Sequence, residues 1–579
     1  MSEAPPDKTR IGLLSRQFLG PWLLALACLS AFLARGSQIL TSEYSVLLRV
    51  IEDDTFYYLQ PAWNLKEKGF YSFDGVGRTY GFQPLWMIAV TGLSWLSPDK
   101  EVFLRLTLFA SLVLFLAAGI ALYRFAAHEK NRLATALGVS VFWILNPWLS
   151  EVFTRGKENA IHALALTLAV LSAHAVLTNP LRASLLRWAW LGALLGFMLL
   201  ARVNNLLFIF TFFALFLWRN GLSPLKPLAL IMLVVALFAV AAPWFIYAQL
   251  ELGTTFPTSG SAKLKSLRLE QLISLISFES ISRIARSLVG VYRDVLPPAI
   301  LTLLGWGYLA LKRRRAEARL GLFTRVTDWV RRDPATTLLV SYAGVNIAAT
   351  FVLLNPWFDY GIWYRVPEHC ASVLLMTRAF ASLFQESEAD EVARSPHWLP
   401  LRSIPGLAFA IGTLLWTVSF RQIVPAEKPP YRAWQDRIYE ATTAAPELIP
   451  KGSAIGAWNA GLIGYLLDDY TVYNLDGLAN SREFLEVIGP NVGGLRLTPD
   501  HRNLADWLAE NKVEYLIDFV DMETMHEPPC FRLIGFDQCR ILKTVGEPMS
   551  FGPGRTIIES ILELGPKASL GGYPAPSET

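Results

Sequence analysis

Charge is scarce in this sequence: 17% of its 579 residues are Asp, Glu, Lys or Arg, against 53% hydrophobic, and the mean hydropathy is +0.36. So little charge excludes an ordinary soluble globular protein, and so great a length excludes one small anchored domain. Histidine is also rare; the seven present are scattered, so no cofactor is certain, and a divalent metal stays an open alternative that no ligand cluster supports. No GxxxxGK[ST] loop, HExxH, CxxC or GxSxG occurs, which removes a Walker-type nucleotide site, a zincin and a hydrolase elbow from consideration. Cysteine is limited to four. Cys28 and Cys370 lie in apolar runs and read as small packed hydrophobes, while Cys530 and Cys539 share a polar C-terminal stretch where a disulfide is an open alternative. The apolar run continues past Cys28, so the first segment reads as an uncleaved helix.

What the chain has in abundance is long apolar segments. A membrane span needs roughly 20 such residues. About eleven candidates follow on that criterion: Phe18 to Ala34, Phe103 to Ala127, Leu133 to Leu149, Ile161 to Leu177, Trp188 to Val203, Asn205 to Trp218, Leu228 to Leu250, Leu296 to Leu311, Ala335 to Leu354, Val366 to Phe384 and Ile404 to Phe420. Pro84 to Leu96 is too short to cross and reads as a juxtamembrane helix. Lys8, Arg10, Arg16, the segment His128 to Arg132, Arg182, Arg187, Arg219, Lys226 and the run Lys312 to Arg332 then fall on one side, which the positive-inside rule makes cytoplasmic. The basic run after Leu311 is a topology signal with affinity for anionic lipid, and no nucleic-acid partner is expected. The expectation is a multi-pass inner (plasma) membrane protein, with the N-terminus cytoplasmic and everything after Arg421 extracytoplasmic.

The composition changes after Ile423. Pro425, Pro429 and Pro430 read as a linker, and beyond it short strand-like runs (Ala454 to Trp458, Thr471 to Tyr473, Tyr515 to Phe519, Thr556 to Ile561) alternate with helical ones (Ser481 to Val487, Leu504 to Asn511). The expected fold class is an α-helical polytopic membrane protein with a small C-terminal extracytoplasmic α/β domain. Residues 1–420 form the membrane domain, with a first outer loop over 44–102, and residues 421–579 form the α/β domain. The final stretch, Pro566 to Thr579, reads as flexible.

Within that outer loop, Glu52, Asp53 and Asp54 sit directly against hydrocarbon, where charge is costly and usually functional. Asp53 and Asp54 are adjacent, hence about 100° apart on a helix, too divergent to share a proton as a dyad. A plain acidic cap supplied by Asp54 is the bland alternative. Glu158, in Arg155-Gly156-Lys157-Glu158-Asn159, is a further outer-boundary acid, whose bland reading is a wet ion pair with Lys157 or Arg155. Lys263, Tyr364 and Arg365 lie at other outer boundaries, where a snorkelling cation is the alternative. Arg202 stands beside Asn204 and Asn205 at the end of an apolar run and is harder to dismiss.

The order Asp53-Asp54-Thr55-Phe56-Tyr57-Tyr58-Leu59 followed by Gly81-Phe82-Gln83-Pro84-Leu85-Trp86 resembles the first outer loop of GT-C membrane glycosyltransferases. The nearest likeness is to bacterial enzymes related to protein O-mannosyltransferases and lipid A aminoarabinose transferases. It continues at Gly156 to Ala160, at Phe256-Pro257-Thr258 to Lys263, at Tyr364-Arg365-Val366-Pro367 and at Asn474-Leu475-Asp476-Gly477-Leu478. The resemblance implies an inverting transferase that takes a hexosyl or pentosyl group from a polyprenyl-phosphate-linked donor. Its partners would be that lipid, the membrane and a cell-envelope acceptor: glycolipid, polysaccharide or protein. It implies Asp53 as base with Asp54 beside it, Glu158, Tyr57, Gln83 and Arg202 in acceptor or donor binding, and Lys263, Tyr364 and Arg365 at the lipid phosphate. Two departures stand out: Gln83 where many relatives have His, and Lys157 at an often apolar position. A base and a set of cations suit that chemistry. A transporter or lipid flippase is the alternative, but such proteins carry ionisable groups near the midplane, often in repeated halves. Here the charges gather at one face.

Overall fold

A computed structural model describes residues 8–126, 132–221, 226–263, 333–353, 364–391, 430–488, 501–521, 539–550 and 556–565. Eight of the nine expected spans that fall on these residues each coincide with one helix: α1 (Lys8–Thr41), α5 (Lys100–Ala126), α8 (Asn159–Thr178), α9 (Leu185–Ala201), α10 (Leu206–Asn220), α11 (Pro227–Glu251), α13 (Pro334–Leu353) and α14 (Val366–Glu391). The third expected span is broken. α6 (Arg132–Val139) runs into a π-helical turn over Ser140–Ile144, and α7 (Pro147–Phe153) departs at 58°. Asn146 explains the restart, since its side chain accepts the Trp148 and Leu149 N–H groups and Pro147 needs no partner in a first turn. Among the described residues five helices are long and apolar enough to cross a membrane, or six counting the bent pair. The spans expected at 296–311 and 404–420 lie outside the described residues, as do the basic run, most of the proline linker, Cys530 and the last residues. Pro430 belongs to no linker: it opens a 19-residue helix, α15 (Pro430–Leu448).

At one end of the bundle lie α2 (Tyr44–Val50), α3 (Asp53–Lys68) and α4 (Pro84–Trp95), with the short α12 (Thr258–Lys263). Asp53 and Asp54 fall in the first turn of α3 and Lys66 and Lys68 in the last, the charge order that suits the helix dipole, and Gly69 closes the helix at φ +85°. The capping position is held by Glu52, so Asp54 is not the cap.

The C-terminal residues form a five-stranded mixed sheet in the order β2-β1-β3-β5-β4, with β1 Ala454–Ala457, β2 Thr471–Asn474, β3 Val513–Asp521, β4 Cys539–Ser550 and β5 Thr556–Leu564. β1 runs parallel to β2 and β3; β5 pairs antiparallel with β3 and β4. α15 packs on one face, with Trp434 against Phe519, and a short helix, α16 (Gly461–Leu466), follows β1. The crevice at the carboxyl ends of parallel strands is where open α/β sheets take ligands. Here α3 sits there. Tyr57 meets the Trp458 carbonyl and the Asn474 amide just past β1 and at the end of β2.

Candidate active site between α3 and the C-terminal sheet

Asp53 is buried at 8% exposure. Its Oδ2 accepts the Gly461 N–H at 2.9 Å and its Oδ1 the Leu462 N–H at 2.8 Å. Burial pushes this carboxyl up to about 6; hydrogen bonds from Leu462, Gly461 and Tyr57 pull the other way, and the nearby Asp54 adds to the rise. Asp54 remains part-exposed beside it. Tyr57 shares its hydroxyl among the Trp458 carbonyl and Asp476 Oδ2, each at 3.4 Å, and accepts from Asn474 Nδ2 at 3.1 Å.

Tyr58, the next residue of α3, reaches a second cluster. Its hydroxyl donates to Glu158 Oε2 at 3.0 Å and accepts the Gln83 backbone N–H at 3.1 Å. Arg202 donates to Glu158 Oε1 at 2.8 Å, and its guanidinium lies 4.7 Å from the Tyr364 ring centroid. Asn346 joins the Tyr364 carbonyl to Glu368, and Asn204 bonds to Asn346. Arg365 is buried next to this group. The Gln83 side-chain Oε1 is buried with no partner among the described residues.

Glu158 therefore makes no wet ion pair with its sequence neighbours. It is 5% exposed and paired with Arg202, while Arg155 and Lys157 both turn to Glu52 and Arg155 also binds Glu151. Lys157 answers the buried Glu52. The loop holding them is clamped, with Thr55 donating to the Arg155 carbonyl and Trp86 to the Gly156 carbonyl.

The structure thus brings Asp53, Asp54, Tyr57, Gln83, Glu158, Arg202, Tyr364 and Arg365 to one end of the bundle. Lys263 ends α12, anchored there by the Thr258 N–H on the Tyr80 carbonyl; its side chain, and so its expected meeting with Arg365, lies outside the described residues. Sequence reasoning passed over Gly461, Asn346 and Glu368. For Glu368 a signal existed, an acid immediately after Tyr364-Arg365-Val366-Pro367 at a span boundary; Gly461 offered none. Among the described residues no group of three or more His, Cys, Asp or Glu side chains is placed to hold a metal ion.

The same architecture occurs in ArnT from Cupriavidus metallidurans, solved bound to undecaprenyl phosphate, which is 14% identical with a TM-score of 0.51 over 92% of this chain and 97% of that one. The fold of this chain is the fold of that protein. The chain is also similar to the oligosaccharyltransferase of Archaeoglobus fulgidus tethered to an acceptor peptide, at 11% identity and a TM-score of 0.49, over 88% of this chain and 70% of that one. No protein-family model and no curated protein sequence matches the chain.

Proposed function

We propose that this multi-pass membrane protein is a glycosyltransferase that moves a sugar from a polyprenyl-phosphate-linked donor to a cell-envelope acceptor, at the extracytoplasmic face of the plasma membrane. The observation that carries the reading is the joining of two clusters by consecutive residues of one helix. Tyr57 belongs to the carboxylate cluster of Asp53 and Tyr58 to the cationic cluster of Arg202. Acid and cation are what the two ends of the reaction need.

In this reading Asp53 takes the proton from an acceptor hydroxyl, and that oxygen bonds to the anomeric carbon. The bond from that carbon to the phosphate oxygen breaks on the opposite face, with inversion, and the polyprenyl phosphate leaves with the electron pair. Arg202 and Arg365, with Lys263, would meet the charge on the leaving phosphate, and Tyr364 stacks under Arg202. A carboxyl raised to about 6 is a stronger base than an ordinary aspartate yet mostly ionised at neutral pH, the compromise that general base catalysis favours. The unmatched Gln83 Oε1 suits a sugar or acceptor hydroxyl as donor.

The test is transfer by the purified protein in nanodiscs, with undecaprenyl-phosphate-linked hexose, pentose and amino-sugar donors and envelope extract as acceptor. Radiolabel should move to the extract in wild type and not in Asp53→Asn. Full transfer by Asp53→Asn together with Asp54→Asn would defeat the proposal.

A further inference from the structure

Resting on that reading, the geometry points to a further role for the C-terminal sheet region: through the Gly461 and Leu462 amides it holds the base, making these two residues positioning groups for Asp53. Two N–H groups from a segment some four hundred residues away in sequence take one carboxylate oxygen each. An ionised carboxylate offers about four lone-pair sites, so two amides fix its rotamer and still leave room for an acceptor hydroxyl. The approach is so close that only glycine fits at the first position. A Cβ on Gly461 would stand 2.3 Å from the Asp53 carbonyl oxygen and 2.8 Å from its Cγ and Oδ2.

The amides are themselves held. Tyr465, in the same short helix, packs on Phe56 at 5.1 Å between ring centroids and donates to the Lys100 carbonyl at 2.7 Å. Lys100 returns bonds to the Tyr465 carbonyl at 2.6 Å and to Asp468 at 2.5 Å. Asn474 fixes Tyr57, whose hydroxyl is the third group drawing on Asp53. A docking contact alone needs no such aim; an oriented carboxylate does.

The charges around Asp53 are few. Asp54 and Tyr57 face it from α3, and Glu559 faces it from β5, with Asp518 of β3 and Arg437 of α15 beyond. Glu52 is committed to Arg155 and Lys157, and the Gly461–Leu466 helix carries no charged residue. Loss of one amide should therefore be read in the titration of Asp53, since it removes one of the two backbone N–H groups that hold the carboxylate.

The experiment deletes one N–H in the full-length protein, by incorporating the α-hydroxy-acid analogue at Leu462, which changes an amide to an ester and leaves the side chain alone. Gly461→Ala is the second variant, and Gly464→Ala, whose Cβ would press on Phe73 and not on Asp53, controls for docking. The readout is an infrared titration in nanodiscs, each protein minus its own Asp53→Asn form, which isolates this carboxyl without substrate. The midpoint should rise by about one pH unit in the ester and in Gly461→Ala, the scale of a charge-assisted bond, and stay at the wild-type value in Gly464→Ala. Unmoved midpoints in both test variants, or an equal shift in the control, overturn the inference. If they do not move while Asp53→Asn still abolishes transfer, the positioning role falls and the proposed function stands. If they move but Asp53→Asn transfers normally, the anchor is structural and the positioning role falls, while the proposed function falls only if Asp54→Asn transfers normally as well.

Discussion

Arg202 and Glu158 show how one pair can serve structure and chemistry at once. Both are about 5% exposed, and each has a tyrosine against it, Tyr364 and Tyr58. Removing one partner leaves a buried charge, a loss of about 3–5 kcal/mol, whereas replacing both by apolar residues is often close to neutral. Arg202→Met should thus lower the thermal midpoint markedly, and Arg202→Met with Glu158→Leu should recover most of it. Activity should not follow. The double variant keeps the packing and loses the cation, so it should remain at least tenfold below wild type in transfer; activity that recovers with stability would show that Arg202 only fills space. The sequence marked Arg202 as unusual because it ends an apolar run. It could not supply the partner, since the choice among Arg155, Lys157 and Arg202 depends on which charge Glu52 has already taken.

Among the elements, α9 and α11 meet through glycine. Gly192 and Gly196 lie four apart on α9, and a Cβ on Gly192 would stand 2.1 Å from the Leu233 carbonyl oxygen, while one on Gly196 would be 2.8 Å from that of Leu237. In a membrane such small residues let backbones approach, because no hydrophobic drive brings helices together. Gly192→Ala should cost roughly 1–3 kcal/mol by overpacking. Gly92→Ala on α4, where nothing lies within 4 Å, should be neutral or slightly stabilising. Equal effects of the two in thermal melts would remove the close contact from the account. The second element-scale expectation concerns pH. Burial raises Asp53 to about 6 and Asp518 to about 7, although Asp518 accepts the Trp458 and Phe519 N–H groups. A folded state that binds these protons more tightly than the unfolded chain has their full contribution below the usual carboxyl range, near pH 4, and loses it as pH rises through 6 and 7. The thermal midpoint should fall between pH 5 and pH 8, with a shallower slope in Asp518→Asn; a midpoint that climbs over that interval would contradict the burial seen for both.

For the whole molecule, hydropathy and charge made the helices legible, and alternation marked four of the five strands. β4 escaped because Arg540, Lys543, Thr544, Glu547 and Pro548 interrupt its apolar residues, and its pairing to β5 is irregular. The joint between α3 and the sheet was not legible at all, since backbone amides leave no trace in a sequence. What the connections do reveal is direction. Glu158, Arg202, Glu251, Thr258 and Tyr364 all lie at the end of the bundle occupied by α3, while Arg219 and Asn220 meet the Leu177 carbonyl at the other. Arg182 falls in the short connection after α8 and Arg187 in the first turn of α9, at that second end. Among the described residues these basic positions and the α3 carboxylates thus lie at opposite ends, and we propose on the positive-inside rule that the second end is the cytoplasmic one. Single cysteines in an otherwise cysteine-free full-length protein check it. A membrane-impermeant maleimide should label Lys451→Cys, which is open to solvent, in intact spheroplasts, and should label Arg182→Cys only after permeabilisation. The opposite pattern would put the carboxylates of α3 on the cytoplasmic side, where a transferase acting on envelope acceptors has no use for them, and the proposed function would fall with the orientation.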